Sequence, residues 1–194
     1  MKKLFIPTLN EVKRRVLNEV RVPILLGTGR QGRRSEYAAK FVLEKIKEYG
    51  FETELVDARE YATSFTIPPW QPELQKKTWR AIMKKAQGLI IVSPEYNHGY
   101  PGELKIVLDQ LYEEYFQKPV GVCGVSTGRL GGARMVEQLR QVLIEFRMIP
   151  LRNAVYFSNV GELFDTQGKI KDPEPYKKSI KTLLDELSSY IKLN

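Results

Sequence analysis

The sequence predicts an α/β fold in which an open, mostly parallel sheet carries helices on both faces. Apolar runs of strand length alternate with amphipathic stretches of helix length along the 194 residues. This alternation is typical of parallel strands joined by right-handed helical crossovers. The length suits one domain, so we expect residues 1–194 to form a single unit.

The order of elements follows from the periodicity. Five strands are expected, at residues 20–26, 51–56, 89–92, 120–125 and 151–157. Five helices are expected, at residues 35–49, 73–86, 102–116, 131–147 and 174–191. The third strand is rich in Ile and Val, as expected for a strand buried on both faces. Residues 1–19 form an N-terminal extension, in which 10–19 have the pattern of a short amphipathic helix.

The net charge is strongly basic, at +8. A positive charge of this size is typical of proteins that bind nucleic acid. However, lysines and glutamates alternate along the predicted helices, as in residues 40–45, and no block of like charges occurs. We therefore expect solvated helix faces and an anionic cofactor, and no nucleic acid.

Cysteine and histidine occur once each, as Cys123 and His98. They are too few for an internal disulfide or for a zinc site of the usual type, so no metal is expected. Cys123 lies in an apolar strand and is expected to be a buried, inert thiol in a reducing cytoplasm. No apolar run approaches the roughly 20 residues that span a bilayer, and no signal peptide is evident. We expect no membrane partner.

A loop rich in glycine and arginine, residues 27–35, joins the first strand to the first helix. Backbone N–H groups and the helix dipole favour an anion at such a helix start. Hydroxyl and guanidinium groups add further donors there. These side chains belong to Thr28, Arg30, Arg33, Arg34 and Ser35. The loop therefore predicts a phosphate site.

Three kinds of phosphate site share parts of this pattern. The spacing G-x-G-x-x-G from Gly27 matches the dinucleotide fingerprint, and Asp57 stands where an acid would bind the ribose. A Walker loop is excluded because Arg33 and Arg34 replace its Lys-Ser/Thr pair. Clustered arginines suit a terminal monophosphate better than a bridging pyrophosphate. The pattern favours a flavin mononucleotide, with an NAD(P)-binding Rossmann dehydrogenase as an alternative.

Two more unusual loops follow the third and fourth strands. The first offers an aromatic face, an amide and several backbone N–H groups, which suit a flat heterocycle. It contains Pro94, Glu95, Tyr96 and Asn97. The second, with Ser126, Thr127 and Gly128, is again rich in glycine and hydroxyl groups before a helix. Ligands of open parallel sheets bind outside the carboxyl ends of the strands, where these loops would meet.

Three motifs together resemble a known family. They are Gly-Thr-x-Arg-x-Gly-Arg-x-Ser, Ser-Pro-Glu-Tyr-Asn-x-x-x-Pro-Gly-x-Leu-Lys-x-x-x-Asp and Ser-Thr-Gly-Arg-x-Gly-Gly-Ala-Arg, from residues 27, 93 and 126. The chain thereby resembles the NADPH-dependent FMN reductases over residues 20–157. That family includes azo-, quinone- and chromate-reducing enzymes. The resemblance implies a flavodoxin-like three-layer sandwich with a five-stranded parallel sheet in the order 2-1-3-4-5.

The resemblance also implies FMN and NADPH or NADH as cofactors, and a homodimer or homotetramer. Matching residues of the first loop hold the FMN phosphate, those of the second lie along the isoalloxazine, and those of the third lie beside its pyrimidine end. Lys105 and Asp109 match a more structural part of the motif. Ile106, Val107 and Gln110 depart from the residues that many relatives carry.

The implied reaction moves hydride from NAD(P)H to flavin N5. The electrons then pass to a quinone, an azo compound, a free flavin or a similar small molecule, with ping-pong kinetics. The cofactor carries this chemistry, so no catalytic side chain is assigned. A flavodoxin-like electron carrier is a further alternative, although the acidic surface usual for such carriers is absent here.

Several other residues have two interpretations. Arg129 and Arg134 either meet the phosphates of NADPH, are solvated or pair with Glu137. His98 either contacts substrate or is an exposed loop residue. Phe65 and Trp70 either cover the flavin, form a subunit contact or pack onto the sheet. The aromatic residues at the end of the third predicted helix either face a partner subunit or form part of the core; they are Tyr112, Tyr115 and Phe116.

Overall fold

The computed structural model describes residues 19–71 and 76–191. Its strands are β1 (Ile24–Leu26), β2 (Leu55–Asp57), β3 (Leu89–Pro94), β4 (Pro119–Val125), β5 (Ile149–Pro150) and β6 (Val155–Phe157). Its α-helices are α1 (Ser35–Tyr49), α2 (Ala58–Tyr61), α3 (Lys76–Lys85), α4 (Gly102–Leu108), α5 (Ala133–Glu145), α6 (Val160–Leu163) and α7 (Glu174–Ile191). The short helix expected at 10–19 falls outside the described residues except for its last position.

All strands pair in parallel, in the order β2-β1-β3-β4-β5, and β6 also pairs with β4. Ile24 of β1 is in register with Leu55 of β2 on one side and Ile90 of β3 on the other. The strand order therefore reverses between β1 and β3. This confirms the flavodoxin-like order and places the ligand-binding edge beyond the carboxyl ends of β1, β3 and β4.

The core lies on both faces of the sheet, because successive side chains of a strand point to opposite sides. Ile24, Leu26, Ile90 and Val92 pack with the apolar stripes of α1 and α7. Leu25, Leu89 and Ile91 pack on the other face with α3, α4 and α5. These strand residues are fully buried. The three layers of the predicted sandwich are therefore present.

The last strand differs from the prediction. Residues 151–157 were expected to form one strand, but the chain has β5 before residue 151 and β6 from Val155. The backbone N–H groups of Arg152 and Asn153 donate to the Glu186 carboxylate of α7, both at 2.9 Å. Because these groups bond to a side chain, the ladder is interrupted between β5 and β6.

The helix predicted at 102–116 is also shorter than expected. It ends at Leu108, and a 3₁₀ turn follows at Glu113–Tyr115. The N–H groups of Gln110 and Leu111 donate to carbonyls three residues back, as in the tightened last turn of a helix. The Gln110 amide then donates to the Tyr61 carbonyl at 2.6 Å, which holds this segment against the end of α2.

Other boundaries shift by a few residues, and two short helices were not predicted. The first is α2, for which Asp57 is the N-cap: its carboxylate accepts from the N–H of Arg59 at 3.0 Å. The second, α6, begins after Asn159, which has a left-handed backbone. Both helices follow strands at the ligand-binding edge. None of the helices within the described ranges is both long and apolar enough to cross a membrane.

Candidate cofactor site

The three loops singled out in the sequence meet at the carboxyl edge of the sheet. Together they enclose a cavity of about 870 Å³, within the range usual for small-molecule sites. The cavity is lined by residues 30–35, 94–97, Glu103, 125–127 and Val160. All twelve residues predicted for the site are therefore brought together, ten of them at the cavity wall.

Thr28 and Gly128 are the two predicted residues that do not line the cavity. Thr28 is fully buried behind the first loop, where its hydroxyl accepts from the N–H of Arg30 and shares a hydrogen bond with the Tyr96 hydroxyl, both at 3.3 Å. Gly128 lies in the third loop, and its N–H donates to the Ser126 hydroxyl at 3.0 Å. Thr28 thus joins the first and second loops from below.

The N-terminus of α1 opens toward this cavity with donors available. Its N-cap, Arg34, supplies no side-chain cap. The Ser35 side chain is 2% exposed, and its hydroxyl has no hydrogen-bond partner among the described residues. A helix start with free N–H groups and an unpartnered hydroxyl is a favourable place for a phosphate. The terminal phosphate of FMN fits these donors.

Arg30 supplies a positive charge at the cavity wall beside this helix start. Arg30 is exposed, and its guanidinium carbon lies 5.3 Å from the centroid of the Tyr96 ring. Its guanidinium makes no hydrogen bond or ion pair within the part of the chain that the structure describes. The Tyr96 ring therefore positions the cation at the cavity wall while its donors remain available for an anion.

Arg33 is placed differently from the other predicted phosphate ligands. Its side chain is 3% exposed, and its guanidinium forms a two-pronged ion pair with Asp57, one arm at 2.8 Å. It also donates to the Thr28 carbonyl. Arg33 therefore braces the first loop against the end of β2 through its two terminal nitrogens. Its buried Nε has no hydrogen-bond partner among the described residues, so this is the donor that its predicted role at a phosphate leaves available.

Asp57 has three cationic or backbone donors. Burial raises the pKa of its carboxyl, but hydrogen bonds from the side chains of Arg33 and Arg59 and from the Arg59 N–H outweigh this and hold the pKa far below its usual value. Its carboxylate is thus occupied as an ion-pair partner and helix cap. The acid required by the Rossmann alternative is not free to bind a ribose.

Arg34 and Glu103 fasten the rim of the cavity. The Arg34 guanidinium donates to the Gly161 carbonyl at 2.6 Å, and Glu103 of α4 accepts from the Gly29 N–H at 3.2 Å. Glu103 and Val160 were not among the predicted residues. The sequence could have indicated Glu103, since it is an acidic residue in the first turn of the helix that follows the second loop. Val160 had none, because α6 was not expected.

The second loop contains a two-residue reverse turn at the end of β3. Tyr96 and Gly99 exchange two backbone hydrogen bonds, both at 2.9 Å, around Asn97 and His98. The φ angles of Asn97 and His98 are 49° and 70°, a left-handed pair typical of a type I′ turn. Asn tolerates this conformation better than His does. Both side chains are exposed, so His98 is an exposed loop residue next to the cavity.

Glu95 and Arg134 link the second and third loops. The Glu95 side chain is 4% exposed and accepts from the Arg134 Nε at 2.8 Å and from the Met135 N–H at 3.4 Å. Of the alternatives for Arg134, pairing with Glu137 is not what the structure shows, since Glu137 pairs with Arg140. The partner of Arg134 comes from another loop, which local spacing does not reveal.

The third loop passes very close to the sheet, and glycines allow it to do so. Gly131 and Gly132 have φ angles of 58° and 90°, and Gly132 is the N-cap of α5. A Cβ added to Gly124 of β4 would lie 2.5 Å from the Gly131 carbonyl oxygen. The approach of the loop to β4 therefore depends on glycine at position 124.

Gly124→Ala is expected to lower the free energy of unfolding by about 2 kcal/mol, because backbone must move to admit the methyl group. For a chain of this size the melting temperature should fall by roughly 6 °C. Gly161→Ala is the matched control, since a Cβ there meets no heavy atom within 4 Å. Thermal unfolding followed by circular dichroism checks both, and equal melting temperatures would contradict the steric argument.

The aromatic residues with several interpretations separate clearly. Phe65 and Trp70 are 82% and 83% exposed, so packing onto the sheet is wrong for both. Tyr115 is fully buried, and its hydroxyl accepts from the Trp79 indole at 3.0 Å. Tyr115 is therefore a core residue. Tyr112 remains 37% exposed.

Cys123 is buried in β4, as expected, and burial raises the pKa of its thiol to about 12. A thiol of that pKa is unreactive at neutral pH. Within residues 19–71 and 76–191 no group of three or more His, Cys, Asp or Glu side chains is arranged to hold a metal ion.

Comparison with known proteins agrees with this geometry. The family model described as NADPH-dependent FMN reductase matches residues 20–162. An NAD(P)H-dependent FMN reductase of Schizosaccharomyces pombe is 32% identical over 146 residues, which cover 70% of this chain and 72% of that protein. A quinone reductase of Pseudomonas putida is 29% identical over 134 residues, covering 64% of this chain and 70% of that protein.

Among solved structures, the flavoenzyme FerB of Paracoccus denitrificans, an NAD(P)H:(acceptor) oxidoreductase, superposes with a TM-score of 0.73. The identity is 18%, and the match covers 88% of this chain and 98% of FerB, so it supports the fold. The family model, in contrast, spans all three loops that line the cavity and most of the sequence. The chain belongs to the NADPH-dependent FMN reductase family.

Proposed function

We propose that this protein is an FMN-dependent NAD(P)H oxidoreductase that reduces quinones, azo compounds, free flavins or similar small acceptors. The observation that carries the proposal is the N-terminus of α1, where the buried Ser35 hydroxyl lacks a partner within the described residues. This helix start borders a cavity of about 870 Å³ walled by three loops. A flat ring with one terminal phosphate matches that shape and charge.

Each loop has a distinct part in this proposal. Ser35, the first N–H groups of α1 and the Arg30 guanidinium hold the phosphate, and Arg33 and Arg34 keep the loop in place through Asp57 and the 160–161 segment. Residues 94–97 form the wall along the ring. Ser126 and Thr127 also line the cavity, where their hydroxyl and N–H groups can meet the polar edge of a heterocycle.

Bound FMN supplies the redox chemistry, taking hydride from NAD(P)H and passing electrons to the acceptor. The protein's own task would be to hold FMN and NAD(P)H in reacting contact, with residues 94–97 and 126–127 in the cavity lining. This transfer does not require a side chain that acts as a general acid or a general base. The Asn97–His98 turn places Asn97 in the cavity lining, so its side-chain amide is our candidate donor to the ring.

The decisive experiment combines the visible spectrum of the purified protein with turnover. We expect the protein to bind FMN, to be yellow, and to oxidise NADPH when a quinone or azo dye is present, with ping-pong kinetics. A preparation that stays colourless after incubation with excess FMN would refute the proposal. A yellow protein that does not oxidise NADPH in the presence of any acceptor would instead be an electron carrier.

We further propose that the active form is a homodimer or homotetramer in a reducing cytoplasm. Two large aromatic side chains, Phe65 and Trp70, are more than four-fifths exposed on one loop, which is unusual for a surface without a partner. Light scattering coupled to size-exclusion chromatography measures the mass directly. A monomer at micromolar concentration would exclude the assembly.

A further inference from the structure

The first and third loops each lead into a long helix, α1 and α5, and the N-terminus of α5 already has an anionic partner. At α5, the N-cap Gly132 has no side chain, and the carboxylate of Glu95 reaches across from β3 to accept from the Met135 N–H. An anion of the protein itself therefore already occupies the start of α5. The phosphate is left with α1, where the Ser35 hydroxyl has no partner within the described chain.

This arrangement places an ion pair at the cavity wall beside the region left for the ring. Glu95 lines the cavity, its side chain is 4% exposed, and the Nη2 of Arg134 lies 2.5 Å from its carboxylate. Arg134 does not line the cavity and is 46% exposed, so the negative member of the pair is the nearer one. The two charges cancel in sum, but the Glu95 carboxylate lies at the cavity wall and the Arg134 guanidinium lies farther from it.

We propose that Glu95 and Arg134 act in opposite directions on the relative affinity of the site for the oxidised and reduced forms of its flavin, and that their pairing balances the two effects, an inference that rests on the proposed function. Reduction adds negative charge to the isoalloxazine ring at neutral pH. A buried carboxylate beside the ring opposes that charge, whereas the guanidinium favours it. Because the pair is nearly neutral, each member holds the effect of the other in check.

Single replacements should therefore move the reduction potential of bound FMN in opposite directions. Glu95→Gln leaves Arg134 unbalanced, so the potential should rise, with reduced FMN gaining about tenfold in affinity over oxidised FMN. Arg134→Gln leaves the carboxylate unbalanced, so the potential should fall, with reduced FMN losing about tenfold in affinity relative to oxidised FMN. The double variant Glu95→Gln/Arg134→Gln should return toward the wild-type value, and Arg134→Lys should keep it.

The measurement is a dye-linked titration of the potential at pH 8, together with the dissociation constants of oxidised and reduced FMN. This pH matters because Arg134 and the Met135 N–H hold the pKa of Glu95 below its usual value against the effect of burial. Without Arg134 the carboxyl pKa rises, and pH 8 keeps the group ionised. Lys181→Gln, in an exposed pair on α7, is the charge control and should leave the potential unchanged.

The outcomes separate this inference from the proposed function. If the two single variants bind FMN with potentials shifted in the same direction, or not shifted, the pair has only a structural role and the inference fails. If Glu95→Gln does not fold, Arg134→Gln alone decides, since its side chain is half exposed and a rise in potential would contradict us. If the wild-type protein binds no FMN, the proposed function itself fails.

Discussion

Replacing Asp57 by asparagine should lower the free energy of unfolding at pH 7 by about 3 kcal/mol, because a buried cation loses its partner. The Arg33 guanidinium is almost completely buried against this carboxylate. Asparagine caps a helix nearly as well as aspartate, so the cap of α2 is retained and the loss reports the ion pair. Urea unfolding of both proteins measures the difference.

The difference should depend on pH in a defined direction. Hydrogen bonds from Arg33 and Arg59 hold the Asp57 pKa far below its value in the unfolded chain, despite the opposing effect of burial. A depressed pKa contributes stability that is present above the unfolded value of about 3.9 and is lost as the pH falls below it. The wild-type protein should therefore approach Asp57→Asn between about pH 4 and pH 2.

Asp185→Asn is the matched control for this experiment. Asp185 pairs with Lys181 on α7, but its side chain is 49% exposed. An exposed pair contributes at most about 1 kcal/mol, so the control should change the free energy of unfolding little at any pH. If Asp57→Asn were as mild as the control, the buried pair would not be what holds the first loop.

Arg30→Ala should weaken FMN binding by about 100-fold while leaving riboflavin binding almost unchanged. The guanidinium is held over the Tyr96 ring at the cavity wall with its donors available. A charge-assisted hydrogen bond to a phosphate is worth roughly 1.5–3 kcal/mol, and the substitution removes it. Fluorescence titration of the apoprotein with both ligands measures the two affinities.

Riboflavin is the internal control for that prediction, because it has the same ring without the phosphate. Arg152→Ala is the control for lost positive charge, since its residue is exposed at the break between β5 and β6, away from the cavity lining. Equal loss of FMN and riboflavin affinity in Arg30→Ala would mean that Arg30 supports the ring or the loop. Unchanged FMN affinity would remove it from the site.

The main features of the fold and the location of the site follow from local pattern. Alternating strand and helix periodicity predicts the layers, and the resemblance predicts the strand order that the structure confirms. The site was predictable because each of its loops begins directly after a buried strand and contains glycine and hydroxyl residues. Parallel strands then bring their loops to one edge without further information.

The contacts that local pattern does not predict join residues far apart in the chain. The break after β5 depends on Glu186, which lies more than thirty residues beyond the amides that it binds. Arg33 looks like one more phosphate ligand until Asp57, 24 residues later, is placed beside it. Arg134 finds Glu95 in the same way, 39 residues away. The partner of a charged side chain depends on which residues the fold brings close to it, so these roles could be assigned only from the structure.

The interrupted strand at the end of the sheet also bears on how copies of this protein can associate. The outer strands of the sheet are short, with three residues in β2, two in β5 and three in β6, and Pro150 in β5 has no amide hydrogen to donate. Long, regular outer strands act as templates for aggregation through backbone pairing. Within the described residues these outer strands offer little free ladder, so a continuous sheet across two molecules is disfavoured, and the homo-oligomer proposed above is expected to associate through side-chain surfaces.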